Sequence, residues 1–290
     1  MTTATGTPGK RDFTALYTAP DPRPYFSYFR TLEYGVVGTG ARLFRRLVEA
    51  LADGEGGPGA PGDDASVVAD VCCSYGQDAA LLNHDLDEDE LFSHWADPAT
   101  ADLDRDALVR RDREFFATRR RPDAVTVLGL DASAPAVEYG LAAGLLDGGV
   151  AADTEADPDV DLSVLAPVTG AVVTGGVGYV GARTFARVVD AADEQPWVCG
   201  LVLRWVDLRP VATELEQRGY TVQVADGCPV TQRRMFDDER PAVLAGLDAL
   251  GRRPGVLEER GYHAAVPFLA TPRSMRALPL ERLAAGLEHA

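Results

Sequence analysis

Two carboxylates, and the turn that follows the first of them, are the residues here whose types and spacing could do chemistry. The stretch Ser66 to Asn83 reads SVVADVCCSYGQDAALLN. Its apolar run, Val67 to Val71, breaks at Cys72-Cys-Ser-Tyr-Gly76 and resumes as a helix-forming segment, Ala79 to Leu82. A strand, a tight turn and a helix in that order present backbone N–H groups to a nucleotide-like ligand. The second carboxylate, Asp131, follows another apolar run, Val125 to Leu130, within Gly129-Leu-Asp-Ala-Ser133. A carboxylate at the end of a second strand can accept hydrogen bonds from both hydroxyls of a ribose.

Other reactive side chains offer less. The four histidines, His84, His94, His263 and His289, fall after a helix, in an acidic insertion, in a late strand and beside the terminus. Surface or structural roles suit each, so no general base stands out. The cysteines at 72, 73, 199 and 228 lack paired metal-ligand spacing, and no metal site is expected. Tyrosines remain. An aromatic stretch, Asp21 to Tyr34, precedes the first strand and can fold back as a lid, with Tyr25, Tyr28 and Tyr34 reaching inward. Tyr179 follows the apolar run Ala171 to Val173 through a glycine-rich turn containing Gly175 and Gly176. That places it near the carboxyl edge of a sheet, where ligands of doubly wound folds bind.

The elements that must position these residues follow from periodicity. A mobile leader extends to about Thr18, and an amphipathic helix spans Ala41 to Ala52. Asp53 to Ala65 is a Gly/Pro/Asp linker without structure of its own. Asp85 to Pro122 is a helical insertion, whose Arg119-Arg-Arg121 caps a helix C-terminus. Ala134 to Leu146 is a helix stopped by Asp147-Gly-Gly149. Further strands are expected at Ala171 to Val180, Trp197 to Arg204, Tyr220 to Ala225 and Tyr262 to Ala270, with helices at Val211 to Gly219 and Ala242 to Leu250. Alternating strands and helices specify an α/β fold: a doubly wound, mostly parallel, seven-stranded Rossmann-like sheet with helices on both faces. Residues 1–60 would carry leader, lid and helix, and residues 61–290 the ligand-binding domain.

Asp70-x-Cys72-x-Ser74-x-Gly76 resembles the first motif of the class I S-adenosylmethionine-dependent methyltransferases, which usually have glycine where Cys72 and Ser74 stand. Val127 to Tyr139 is similar to that family's second motif. The resemblance covers about residues 66 to 270. It implies S-adenosylmethionine as cofactor, held by Asp70, Cys72, Ser74, Tyr75, Gly76, Asp131, Ala132 and Ser133. Asp153 and Thr154 would lie beside the adenine, with Gly175 and Gly176 at the sheet edge. Tyr25, Tyr34 and Tyr179 would serve as catalytic residues around the methionine end, where aromatic faces attract a sulfonium by up to about 2 kcal/mol when desolvated. Methyl transfer to a small-molecule acceptor is the expected reaction. The alternatives are a cyclase that turns S-adenosylmethionine alone into azetidine-2-carboxylate and methylthioadenosine, and a non-catalytic cofactor-binding regulator.

A competing motif, Thr174-Gly-Gly-Val-Gly-Tyr-Val-Gly181, matches the nicotinamide-binding turn of extended short-chain reductases. Arg204 stands where that reading needs an acidic residue. Its Tyr-x-x-x-Lys pair is impossible, because Lys10 is the only lysine. The net charge of −17 argues against nucleic acid, whose phosphates need a basic face. No run of about 18 apolar residues could span a membrane. The N-terminus lacks an apolar signal region, so the cytoplasm is expected, and a homodimer is left open.

Overall fold

The computed structural model describes residues 11–57, 60 and 66–287. Most of the Asp53 to Ala65 linker and the first ten residues of the leader lie outside the described residues. Among the described residues, three helices precede the sheet: α1 (Thr14–Tyr17), α2 (Arg23–Arg30) and α3 (Val36–Ala52). The leader is therefore helical at Thr14–Tyr17, before the expected end at Thr18. The first βα unit is β1 (Val67–Val71) and α4 (Gln77–Asn83). The insertion holds α5 (Glu88–Trp95) and α6 (Arg105–Ala117), each begun by an aspartate that accepts a backbone N–H at its N-cap. Arg119 Nη1 donates to the Phe115 carbonyl in the last turn of α6, the capping expected for the arginine run.

Next come β2 (Thr126–Asp131), α7 (Ala134–Ala143) and β3 (Gly148–Ala151). Helix α7 ends earlier than expected. Gly144 takes the left-handed conformation there (φ 76°), and its N–H meets carbonyls of the last turn. Then follow β4 (Gly170–Thr174), α8 (Ala182–Ala191), β5 (Trp197–Leu203), α9 (Arg209–Gln217) and β6 (Tyr220–Val224). The chain closes with β7 (Val230–Arg234), α10 (Arg240–Ala249), α11 (Val256–Glu259), β8 (Tyr262–Pro272) and α12 (Leu280–Ala284).

Among the described residues, one sheet carries eight strands, in the order β3-β2-β1-β4-β5-β8-β6, with β7 paired to β8. Neighbours from β3 to β5 run parallel, whereas β8 is antiparallel to β5, β6 and β7. The expected count of seven strands is corrected to eight. The sequence of β7, Val-Thr-Gln-Arg-Arg, lacks the apolar run of a buried strand, yet it adds to the first half of β8. Buried Val, Leu and Ala side chains on both sheet faces join α3 and the aromatic residues of α2 in one core. Residues on both sides of position 60 thus pack together. Among the described residues, no helix is long and apolar enough to cross a membrane.

Candidate functional site

Chain order reverses between β1 and β4, and at such a switch point a doubly wound sheet opens a crevice beyond its strands' carboxyl ends. A cavity of about 580 Å³ lies there, bordered by Val71, Asp131, Thr174 and Leu203 at the ends of β1, β2, β4 and β5. That volume falls in the range of about 300–1,000 Å³ usual for small-molecule and cofactor sites.

The β2 side of the cavity is polar. Asp131 Oδ1 accepts the Ser133 N–H at 2.8 Å, and Oδ2 accepts the Ser74 N–H at 2.9 Å. Burial raises its pKa, opposed by hydrogen bonds from the Ser133, Ser74 and Ala132 amides. Three amides use most of a carboxylate's roughly four acceptor positions and leave about one of them. Ala132, Ser133, Asp153 and Thr154 continue this wall. Opposite them stand Cys72, Gly175 and Gly176. A Cβ on Gly176 would come within 2.8 Å of Cys72 Sγ, so glycine is required for this close approach.

The turn after β1 takes the conformation that glycine would take freely. Cys72 (φ 65°) and Ser74 (φ 50°) both have positive φ, as does Gly76 (φ 86°). Left-handed backbone costs an ordinary residue roughly 1 kcal/mol. The turn's shape survives the two substitutions, at the expense of strain.

The N-terminal segment roofs the cavity. Ser133 Oγ donates to the Tyr17 carbonyl at 2.6 Å, and Tyr75 Oη lies within 2.8 and 2.9 Å of the Leu16 and Ala19 carbonyls. Arg11 forms an ion pair with Asp238 and lies 4.0 Å over the Phe236 ring. Phe13, Tyr17, Phe29 and Tyr34 give the space beneath an aromatic lining. Tyr179 stands at the mouth, 43% exposed, its hydroxyl 3.5 Å from the Arg11 carbonyl.

The structure thus brings Tyr34, Tyr179, Cys72, Asp131, Ala132 and Ser133 together around one cavity. Asp153, Thr154, Gly175 and Gly176 join them. It does not bring in five others. Tyr25 is fully buried in the aromatic cluster of α2, where Gln77 Nε2 donates to its hydroxyl. Asp70, Ser74, Tyr75 and Gly76 lie behind the wall; Tyr75 instead anchors the roof.

Sequence reasoning missed the far wall. Arg233 of β7 donates through both terminal nitrogens to Glu239, at 2.9 and 2.6 Å. Trp205 Nε1 donates to His263 Nδ1, and His263 Nε2 meets Glu239 Oε2 at 3.2 Å. Burial works to raise the pKa of Glu239, but hydrogen bonds from His263, Arg233 and the Phe236 amide together hold it far below the usual carboxylate range. Gln232, Arg233, Trp205, Glu239 and His263 all line the cavity. Only the arginine pair in an otherwise unassigned polar stretch could have signalled them.

The competing glycine-rich motif is not open to a phosphate. Glu155 Oε2 accepts from the N–H groups of Gly181 and Thr184, at 2.9 and 3.1 Å, and from the Thr184 hydroxyl. The donors at the start of α8 that a pyrophosphate would need already hold a carboxylate.

No family model matches the chain, and no curated protein does. Among solved structures it is similar to the plantazolicin methyltransferase BpumL in complex with SAH, at 10% identity and a TM-score of 0.44, over 90% of this chain and 93% of that one. It is also similar to the precorrin-6y C5,15-methyltransferase of Geobacter metallireducens GS-15, at 11% identity and a TM-score of 0.37, over 72% and 80% of the two chains. A third is the Haemonchus contortus phospholethanolamine N-methyltransferase 2, at 10% identity and a TM-score of 0.37, over 78% and 52%. Likeness at that level leaves function to be argued from this chain's own residues.

Proposed function

We propose that the protein is an S-adenosylmethionine-dependent enzyme that transfers a methyl group to a small-molecule acceptor. The observation that carries this reading is the position of Asp131. Its carboxylate lies at the carboxyl end of β2 in the wall of a roofed cavity, with acceptor capacity left beyond the three amides it accepts. The residues present fit the cosubstrate: a carboxylate for the ribose, Asp153 and Thr154 for the base, and aromatic rings for a cationic end. When bound, S-adenosylmethionine supplies a methyl group activated by its sulfonium. The chain's own residues bind, orient and exclude water. The roof held by Tyr75 and Ser133 keeps solvent from the aromatic end, and the rings there attract positive charge. The Arg233–Glu239 pair offers a fixed polar edge against which an acceptor can be oriented, and such positioning supplies most of the rate in a transfer of this kind. The acidic chain supports a small acceptor rather than nucleic acid.

One observation favours a second reading on the same site. Phe13 and Tyr17 of the roof contact Phe29, which contacts Tyr34, and all four rings line the cavity. A small aromatic compartment suits cyclisation of S-adenosylmethionine itself, which needs no second substrate. Incubation with S-adenosylmethionine alone, read by mass spectrometry, separates the two. Methylthioadenosine without an acceptor means cyclisation; S-adenosylhomocysteine only with an acceptor means methyl transfer. Neither product under either condition, across a panel of small amines, phenols and carboxylic acids, would leave a binding protein and defeat both readings.

A further inference from the structure

The far wall of the cavity holds one cation whose donors are only partly used. Arg233 of β7 is 6% exposed and carries its N–H groups on a rigid planar fork. Nη1 donates to the Arg234 carbonyl at 2.9 Å and to Glu239 Oε2 at 2.9 Å, and Nη2 donates to Glu239 Oε1 at 2.6 Å. Among the described residues, the Nε–H and the second Nη2–H meet no acceptor. In a guanidinium these two lie parallel along one edge, and they match the two oxygens of a carboxylate. Nε is not sealed from solvent, and Arg233 borders the cavity.

The neighbours hold this guanidinium still and leave that edge alone. Trp205 Nε1 can only donate, so His263 Nδ1 accepts from it, and His263 Nε2 carries the hydrogen that Glu239 Oε2 receives at 3.2 Å. Two donors from Arg233, one from His263 and the Phe236 amide at 2.8 Å fill the roughly four acceptor positions of the Glu239 carboxylate. Glu239 therefore orients Arg233 and has no capacity left for a ligand. The β7–β8 ladder slips between Thr231 and Arg233, whose partners Ala264 and His263 are consecutive, so Gln232 is the extra residue of a bulge. Strict alternation would turn one of two adjacent side chains away, yet Gln232 and Arg233 both border the cavity. The Gln232 amide, with Nε2 3.3 Å from where a Cβ on Gly175 would stand, adds a donor there. Arg11 lies 4.0 Å and Arg233 5.6 Å from the centre of the Phe236 ring, so two guanidinium groups meet at this end.

Resting on the reading of the cavity as the site of an S-adenosylmethionine-dependent methyl transfer, we infer that the unused edge of Arg233, helped by the Gln232 amide, docks a carboxylate of the methyl acceptor. The acceptor class is small carboxylic acids, anchored as carboxylates. Place in the sheet separates this group from the cosubstrate. In that reading Asp131 and Asp153 meet the ribose and base beyond β2 and β3, whereas β8, which carries β7, stands four places from β2. A carboxylate fixed at the β7 end leaves the rest of the acceptor among the aromatic rings, where it can be aligned with the methyl donor. A fork held this firmly rejects an uncharged analogue, because part of its donor pair would be left unmet.

The test is calorimetric titration of the whole protein, first with S-adenosylhomocysteine and with methylthioadenosine. Benzoate, phenylacetate and hydrocinnamate, and the matching amides, are then titrated at saturating S-adenosylhomocysteine. At least one acid should bind about tenfold more tightly than its amide, the scale of a charge-assisted contact. Arg233→Lys keeps the charge and loses the fork, and should bring acid and amide within about twofold of each other. The preference for acid over amide is read on the wild-type protein alone, so the test stands even if that variant fails to fold. No acid preferred over its amide, or a preference that survives in Arg233→Lys, overturns the inference alone. So does an Arg233→Lys variant that loses affinity for S-adenosylhomocysteine but not for methylthioadenosine, since the edge would then hold the cosubstrate's own carboxylate. Absence of binding by both nucleosides overturns the cavity reading and the inference with it.

Discussion

Asp131 Oδ2 accepts the backbone N–H of Ser74 at 2.9 Å, so the end of β2 holds the turn that follows β1. The contact joins the two acidic motifs into one unit. It also helps keep Ser74 in left-handed backbone, at φ 50°. Ser74 Oγ is buried without a partner, so the serine side chain adds little to offset this conformation.

Replacing that serine should therefore help. Ser74→Gly retains the amide that Asp131 accepts and relieves both the strain and the orphaned hydroxyl. We expect it to be stabilising by about 1 kcal/mol, less the entropy glycine adds to the unfolded chain. Urea denaturation checks this. A loss of 1 kcal/mol or more would mean that the serine side chain makes a contact the present geometry lacks.

The roof is anchored from below. Tyr75→Phe removes the hydroxyl shared by the Leu16 and Ala19 carbonyls and leaves both without that donor. Residues 13–19 should exchange amide hydrogens faster, by a factor matching about 1–2 kcal/mol, while β1 and β4 keep their protection. Unchanged exchange over residues 13–19 would show that the roof is held by other contacts.

Tyr179 separates ring from hydroxyl. Its hydroxyl is 3.5 Å from its acceptor, at the limit of a hydrogen bond, whereas its ring borders the cavity mouth. Tyr179→Phe should keep ligand affinity within about twofold, and Tyr179→Ala should lose roughly tenfold, on the scale of an aromatic–cation contact. Full retention by the alanine variant would remove Tyr179 from the site.

Stability should depend on pH through Asp78 and Glu88, which burial pushes up to about 7. Unfolded carboxyls titrate near 4. Between about pH 4 and 7 the folded state binds more protons than the unfolded one. This contribution is therefore complete below pH 4 and is lost as pH rises through 7. Asp78→Asn cannot ionise, so at pH 8 it should be more stable than wild type by on the order of 2 kcal/mol, with a smaller difference at pH 5. An equal difference at both pH values would contradict the assignment.

Much of this site was legible because its residues sit at places local pattern dictates. Asp131 closes an apolar run and Cys72 follows another, so the strands that position them could be read from hydrophobicity and turn residues alone. Glycine-like backbone at Cys72 and Ser74 was not legible, since neither residue type favours it. Tyr25 and Tyr34 shared one aromatic stretch, and only helix phase in α2 sends Tyr25 into the core. The Arg233–Glu239–His263–Trp205 wall was hidden for another reason. It arises where polar β7 pairs with antiparallel β8 and α10 returns, a convergence of residues 205 to 263 with no local pattern to announce it.

The central claim is that the Asp131 cavity holds S-adenosylmethionine, and calorimetric titration with S-adenosylhomocysteine tests it most directly. The account predicts saturable binding at one site per chain, weakened about 30-fold in Asp131→Ala, the roughly 2 kcal/mol of a charge-assisted hydrogen bond to a ribose hydroxyl. NAD and NADPH should give no heat. Binding of NADPH without S-adenosylhomocysteine, or S-adenosylhomocysteine affinity unchanged by Asp131→Ala, would contradict it.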